Sequence, residues 1–139
     1  MHKLGPILSV VLLSAAGTAA SSTCSVQSPA HRVALVELYT SQGCSSCPPA
    51  DRWLSAFSER YRSTEAIPLA LHVGYWDYIG WKDPYAKREF NDRQRDWATA
   101  NQNRTVYTPG VFVQGREVRD WHAAQMMDRH VKSTNAVPA

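Results

Sequence analysis

The chain has 139 residues, 44% of them hydrophobic and 19% charged, which suits one globular domain and argues against wholesale disorder. A net charge of +3 is too small and too dispersed for a nucleic-acid binder, and no apolar run reaches the about 18 residues needed to span a bilayer. Seven Gly and eight Pro without a repeat period exclude collagen-like and solenoid architectures.

In chain order, residues 1–20 read as a secretory signal peptide rather than as fold. His2 and Lys3 make a polar start, Ile7 to Leu13 is nearly all apolar, and small residues run from Ser14 to Ala20, placing cleavage near Ala19 or Ala20. The expected location is therefore periplasmic or secreted, where disulfides persist. Residues 21–32 are polar and aperiodic, a flexible lead-in that carries Cys24. If Cys44 and Cys47 pair, Cys24 is left over, either free or linking two chains as a dimer.

Residues 33–132 carry the domain. Val33 to Tyr39 is a continuous β-branched and apolar run, expected as a central strand buried on both faces. After a loop at Thr40 to Gly43, Cys44 to Pro49 opens a helix to about Tyr61, with Trp53, Leu54 and Phe57 facing inward. Ala66 to Val73 is a second strand, and Pro68 belongs at its start or on an unpaired side. An aromatic loop spans Gly74 to Lys82. Asp83-Pro84 then reads as a cap and first turn of a helix to about Ala100, with Ala86, Phe90 and Trp97 inward. Val111 to Val113 and Glu117-Val118 are short strands joined by a turn at Gln114-Gly115. Asp120 is the expected cap of a last helix from Trp121 to about Lys132, with Ala124, Met127 and Val131 on one face, and residues 133–139 form a tail. The order β-α-β-α-β-β-α predicts an α/β fold: a central mixed sheet flanked by helices, parallel where helices connect strands and antiparallel at the late hairpin. Right-handed crossovers put the Cys44 turn at the carboxyl end of the first strand, where sites form in open α/β sheets.

Cys44-Ser45-Ser46-Cys47 is the motif with chemistry. Its spacing lets two sulfurs meet across one turn, while first-turn N–H groups and a helix-dipole charge of roughly +0.5 favour a thiolate. The spacing also serves metals. A copper- or zinc-binding module using Cys44, Cys47 and His72 stays open, as does a non-catalytic binding protein stapled by its disulfide. Glu37 sits in an otherwise apolar strand seven residues before Cys44. It is a candidate proton acceptor for Cys47, against a place on a sheet edge or a salt bridge to Arg. Tyr75, Trp76, Tyr78 and Trp81 either pack the loop or form an apolar platform for a peptide. Lys87, Arg88, Arg93 and Arg95 alternate with acids as a solvated helix face. Thr108-Pro109, directly before the third strand, can hold a cis peptide.

Val33 to Lys132 resembles the thioredoxin-like fold. That resemblance implies a cis Pro109 facing the cysteine pair, with Thr108 and Pro109 holding a substrate strand. Leu38 to Asp51 (LYTSQGCSSCPPAD), Tyr75 to Tyr85 (YWDYIGWKDPY) and Val106 to Pro109 (VYTP) resemble the signatures of a bacterial family of secreted thioredoxin-like proteins, domain of unknown function 1223. Two departures stand out: Gly74 occupies a position where the family pattern carries an acid, and members usually continue well past the last helix, whereas this chain stops at Ala139. The resulting expectation is an exported thiol–disulfide oxidoreductase in which Cys44 attacks and Cys47 resolves. Its substrates would be protein or small-thiol disulfides. It would need no organic cofactor, no nucleic acid and no stable membrane insertion.

Overall fold

The computed structural model describes residues 24–25 and 27–139, so the expected signal peptide lies outside the described residues. Strand β1 (Ala34–Thr40) leads through the cysteine turn into helix α1 (Pro48–Ser55) and the single turn α2 (Phe57–Arg60). Strand β2 (Ala66–His72), a 3-10 turn (Asp77–Ile79) and helix α3 (Arg88–Ala100) follow, then β3 (Gly110–Val113), β4 (Arg116–Glu117) and helix α4 (Ala124–Asn135). The sheet order is β2-β1-β3-β4, with β1 parallel to β2 and antiparallel to β3. This is the mixed α/β arrangement expected, and β2 on the edge accommodates Pro68, whose ring leaves no N–H to pair.

Strand alternation divides the core in two. Val36 and Leu38 of β1, with Val111 and Val113 of β3, face α1, α2 and α4 and join Ala50, Leu54, Phe57, Met127 and Val131 in one apolar cluster. Tyr39 and Phe112 point the other way, where Leu71, Val73, Phe90 and Trp97 meet them under α3. Tyr39 and Phe112 pack edge to face with centroids 5.6 Å apart. The hairpin turn has both central residues at positive φ, Gln114 at 50° and Gly115 at 75°, the type I′ geometry that matches strand twist. Gly115 is required there, since a Cβ would lie 2.5 Å from the Trp97 ring.

Several boundaries differ from expectation. The first helix breaks at Ala56, although the apolar stripe Ala50, Leu54, Phe57 stays in phase across the break, which is why periodicity alone does not reveal it. Trp53 is half-buried and stacks toward Trp121 at 5.2 Å. Asp83 does not cap α3. Its carboxylate is drawn into the loop by other donors, and the helix starts five residues later, with Lys87 at the N-cap. Likewise α4 starts after a turn closed by Ala123 N–H on the Asp120 carbonyl, and Ala124 is exposed. The ends of the lead-in and tail are joined: Arg32 N–H donates to the Val137 carbonyl, and Ala139 N–H to that of Ala30.

Candidate functional site

Cys44 and Cys47 form a disulfide, with Cα atoms 5.4 Å apart, at the junction of β1 and α1. Local backbone bonds shape the turn: Cys44 N–H donates to the Ser41 carbonyl and Cys47 N–H to the Cys44 carbonyl. Cys47 is the N-cap of α1 and Pro48 and Pro49 fill its first two positions. That corrects the expectation that first-turn amides face the sulfur. Two of them are prolines without an N–H, and those of Ala50 and Asp51 donate to the Cys47 carbonyl. The polar group next to Cys44 Sγ is instead the Ser46 hydroxyl, at 3.5 Å. Both cysteines are enclosed, Cys44 at 2% and Cys47 at 0% exposure, so Cys44 is less open than a solvent-facing thiol.

Opposite the turn lies the Thr108–Pro109 peptide, which is cis. The Ser46 hydroxyl reaches the Thr108 carbonyl at 3.5 Å, joining the two loops. Trp76 Nε1 donates to Thr108 Oγ1 at 2.7 Å, and Gln94 Nε2 donates to the Tyr107 carbonyl at 2.7 Å while its Oε1 accepts from Tyr75. Gln94 is almost fully buried and was not singled out in the sequence, because a lone polar residue amid charged helix positions carries no local signal. Of the four loop aromatics, Tyr75 and Trp76 pack against the α3-side cluster while Tyr78 and Trp81 are exposed.

Glu37 is 1% exposed and points to the α3 face, opposite the face on which α1 packs. Its Oε1 receives Arg93, and its Oε2 accepts from Tyr39 at 2.8 Å and from Trp97 Nε1 at 2.9 Å. Burial and the adjacent Glu37 carboxylate push the Tyr39 phenol well above its ordinary value, so it remains a donor. Pairing with Glu37 likewise raises the Arg93 guanidinium. Glu37 thus completes a structural ion pair, the salt-bridged alternative, and has no described link to Cys47.

His72 is not brought to the cysteines as a third ligand. Its Nδ1 lies 2.7 Å from Asp83 Oδ2, and among the described residues no group of three or more His, Cys, Asp and Glu is placed to hold a metal. Asp83, 2% exposed, gathers three segments: the Gln42 N–H at 2.8 Å, His72 and the Tyr85 N–H at 2.9 Å. Burial pushes its carboxyl up, but those three partners together hold it below the ordinary carboxylate value. Cys24 is free and exposed.

A mixed sheet ordered 2-1-3-4, a disulfide at the first strand-to-helix junction and a cis proline opposite it define a thioredoxin-like α/β protein with a C-x-x-C pair. The family described as "Protein of unknown function (DUF1223)" matches residues 35–139, and the chain belongs to that family. The crystal structure of an Agrobacterium tumefaciens protein, a structural-genomics target, is similar at 39% identity with a TM-score of 0.62. The similarity covers 71% of this chain and 44% of that one, so the chain spans less than half of its solved relative. No curated protein matches it.

Proposed function

We propose that the protein is an exported thiol–disulfide oxidoreductase acting through Cys44 and Cys47. The observation that carries this reading is the cysteine turn set against the cis Thr108–Pro109 loop, bridged by Ser46. In the reducing direction, the Cys44 thiolate attacks one sulfur of a substrate disulfide, forming a mixed disulfide and expelling the other sulfur as a thiolate, which takes up a proton. The Cys47 thiolate then attacks Cys44 Sγ, closing the Cys44–Cys47 bond and releasing the second substrate thiol. Two electrons pass to the substrate, and reversal oxidises a substrate dithiol. Cys44 is assigned the attack because its Sγ lies beside the Ser46 hydroxyl. Thr108 and Pro109 are assigned the substrate backbone.

Enclosure of both sulfurs favours a second reading, a structural staple in a binding protein. A redox titration of the dithiol separates the two: a potential above about −300 mV supports exchange, and one below it supports the staple. Under the first reading, Cys47→Ser accumulates a mixed disulfide with substrate and Cys44→Ser does not. Equal trapping by both variants shows that the assigned roles are wrong.

Among the described residues no helix is long and apolar enough to cross a membrane, and the disulfide fits a location outside a reducing cytoplasm. Export predicts a mature chain beginning near residue 20 or 21, read by intact mass. Cys24 either stays free or links two chains, and in the second case non-reducing electrophoresis shows a dimer band in the parent that is absent from Cys24→Ser.

A further inference from the structure

The cysteine turn follows the carboxyl end of β1, and a second feature lies at the opposite end of that seven-residue strand, roughly 20 Å along it. There a cavity of about 610 Å³ opens between the β3–β4 hairpin and the last turn of α4, lined by Arg32, Gln114, Arg116, Ser133, Thr134 and Val137. Its volume is that of a small-molecule site. Both walls are tied to the start of β1. The Gln114 amide donates to the Leu35 carbonyl at 3.0 Å and its Nε2 to the Val33 carbonyl at 3.1 Å, while Arg32 N–H donates to the Val137 carbonyl at 2.9 Å.

These walls carry two kinds of polar group. Arg116 pairs with Val113 across the hairpin, and directly opposed residues share a face, so Arg116 lies on the α4 side with Val113. Alternation puts Glu117 on the other face, where Arg119 and Tyr107 hold it. No acid lines the cavity, and neither Arg32 nor Arg116 has a carboxylate partner among the described residues. Two guanidiniums at one cavity repel each other until an anion lies between them. The remaining groups are acceptors. The Ser133 and Thr134 hydroxyls spend their single hydrogens on the His130 carbonyl, at 3.0 and 2.9 Å, and keep only lone pairs to offer. Gln114 Oε1 is an acceptor as well. Such oxygens repel a bare anion and suit a ligand that brings O–H donors beside its charge.

We infer that this cavity is a binding site for a phosphorylated sugar. A phosphomonoester brings a charge of about −1.5 to −2 and three acceptor oxygens, which match two guanidinium forks. The sugar hydroxyls supply the donors for Ser133, Thr134 and Gln114. A carboxylate, with a single charge and two oxygens, leaves one fork unused. The same chemistry occurs free in solution or as a lipid head group. The site is independent of the redox reading, because none of its residues belongs to the cysteine turn or the Thr108–Pro109 loop.

The test is calorimetric titration of the full oxidised protein at low salt with glucose 6-phosphate, inorganic phosphate and glucose. Glucose 6-phosphate should bind at least about tenfold more tightly than phosphate, and glucose should give no saturable heat. Arg32→Gln and Arg116→Gln should each weaken both phosphate probes at least about fivefold, with an unchanged circular dichroism spectrum because both side chains are exposed. Ser133→Ala/Thr134→Val should bring glucose 6-phosphate down to the affinity of phosphate and leave phosphate itself unchanged. Phosphatidylcholine vesicles carrying phosphatidylinositol 4-phosphate present the same groups on a membrane. Sedimentation of the parent with them, lost in Arg32→Gln/Arg116→Gln, assigns the lipid source, and glucose 6-phosphate binding without sedimentation assigns the soluble one. Absence of binding to both glucose 6-phosphate and these vesicles overturns the proposal. So do equal affinities for glucose 6-phosphate and phosphate, or binding that neither arginine variant weakens.

Discussion

Among the described residues two carboxylates are buried, and they occupy opposite environments. Glu37 lies mid-strand in the central β1, satisfied by side chains of α3 and by Tyr39. Asp83 lies in a loop at the end of the sheet, satisfied by two backbone amides and His72. Glu37 joins a helix to a sheet, while Asp83 joins the chain entering the cysteine turn to the aromatic loop. A conspicuous acid in an apolar run therefore marks the structural pair here, and an acid resembling a helix cap lies beside the candidate site. Both need partners, because an unpaired buried carboxylate is costly. What differs is whether the partners belong to the scaffold or to the site.

The comparison is broken most severely through Trp97, which donates to Glu37. Gly115→Ala forces a Cβ into that ring at a positive φ, and a loss of about 4 kcal/mol is expected in urea unfolding. A loss under about 1 kcal/mol would mean the ring moves freely. Glu37→Gln should cost about 3 kcal/mol, because it leaves Arg93, Tyr39 and Trp97 donating to an amide. The potential of the dithiol should not change, and a shift would tie Glu37 to the cysteines after all.

Asp83→Asn should reverse that pattern, with a modest stability loss of about 1–2 kcal/mol and a dithiol potential displaced by about 15–30 mV as the Gln42 anchor loosens. An unchanged potential would make Asp83 purely structural. The smallest effect is the pH dependence. Because the folded carboxyl of Asp83 lies below its unfolded value of 3.8, its contribution is fully present above that pH and is lost as pH falls through the folded value. The stability gap between the parent and Asp83→Asn should accordingly narrow below about pH 4. A gap that widens on acidification contradicts the assigned direction.

Local pattern placed much of this structure. The unbroken apolar run of β1, the Gln114-Gly115 turn and the C-x-x-C before prolines are short-range signals, and each occupies the element expected of it. The prolines also held a readable consequence, since Pro48 and Pro49 cannot offer amides to a sulfur. The roles of Gln94, Asp83 and His72 were not legible, because their partners lie 11 to 41 residues away along the chain.

By itself, the sequence determined the α/β order, the edge position that Pro68 tolerates and the location of the cysteine pair, because periodicity, turn chemistry and missing N–H groups act within a few residues. Only the tertiary structure decided which buried acid adjoins the site, that both sulfurs are enclosed, and which loop aromatics face solvent. Those outcomes depend on what one segment finds when it packs against another, and side-chain burial and hydrogen-bond partners are set at that step.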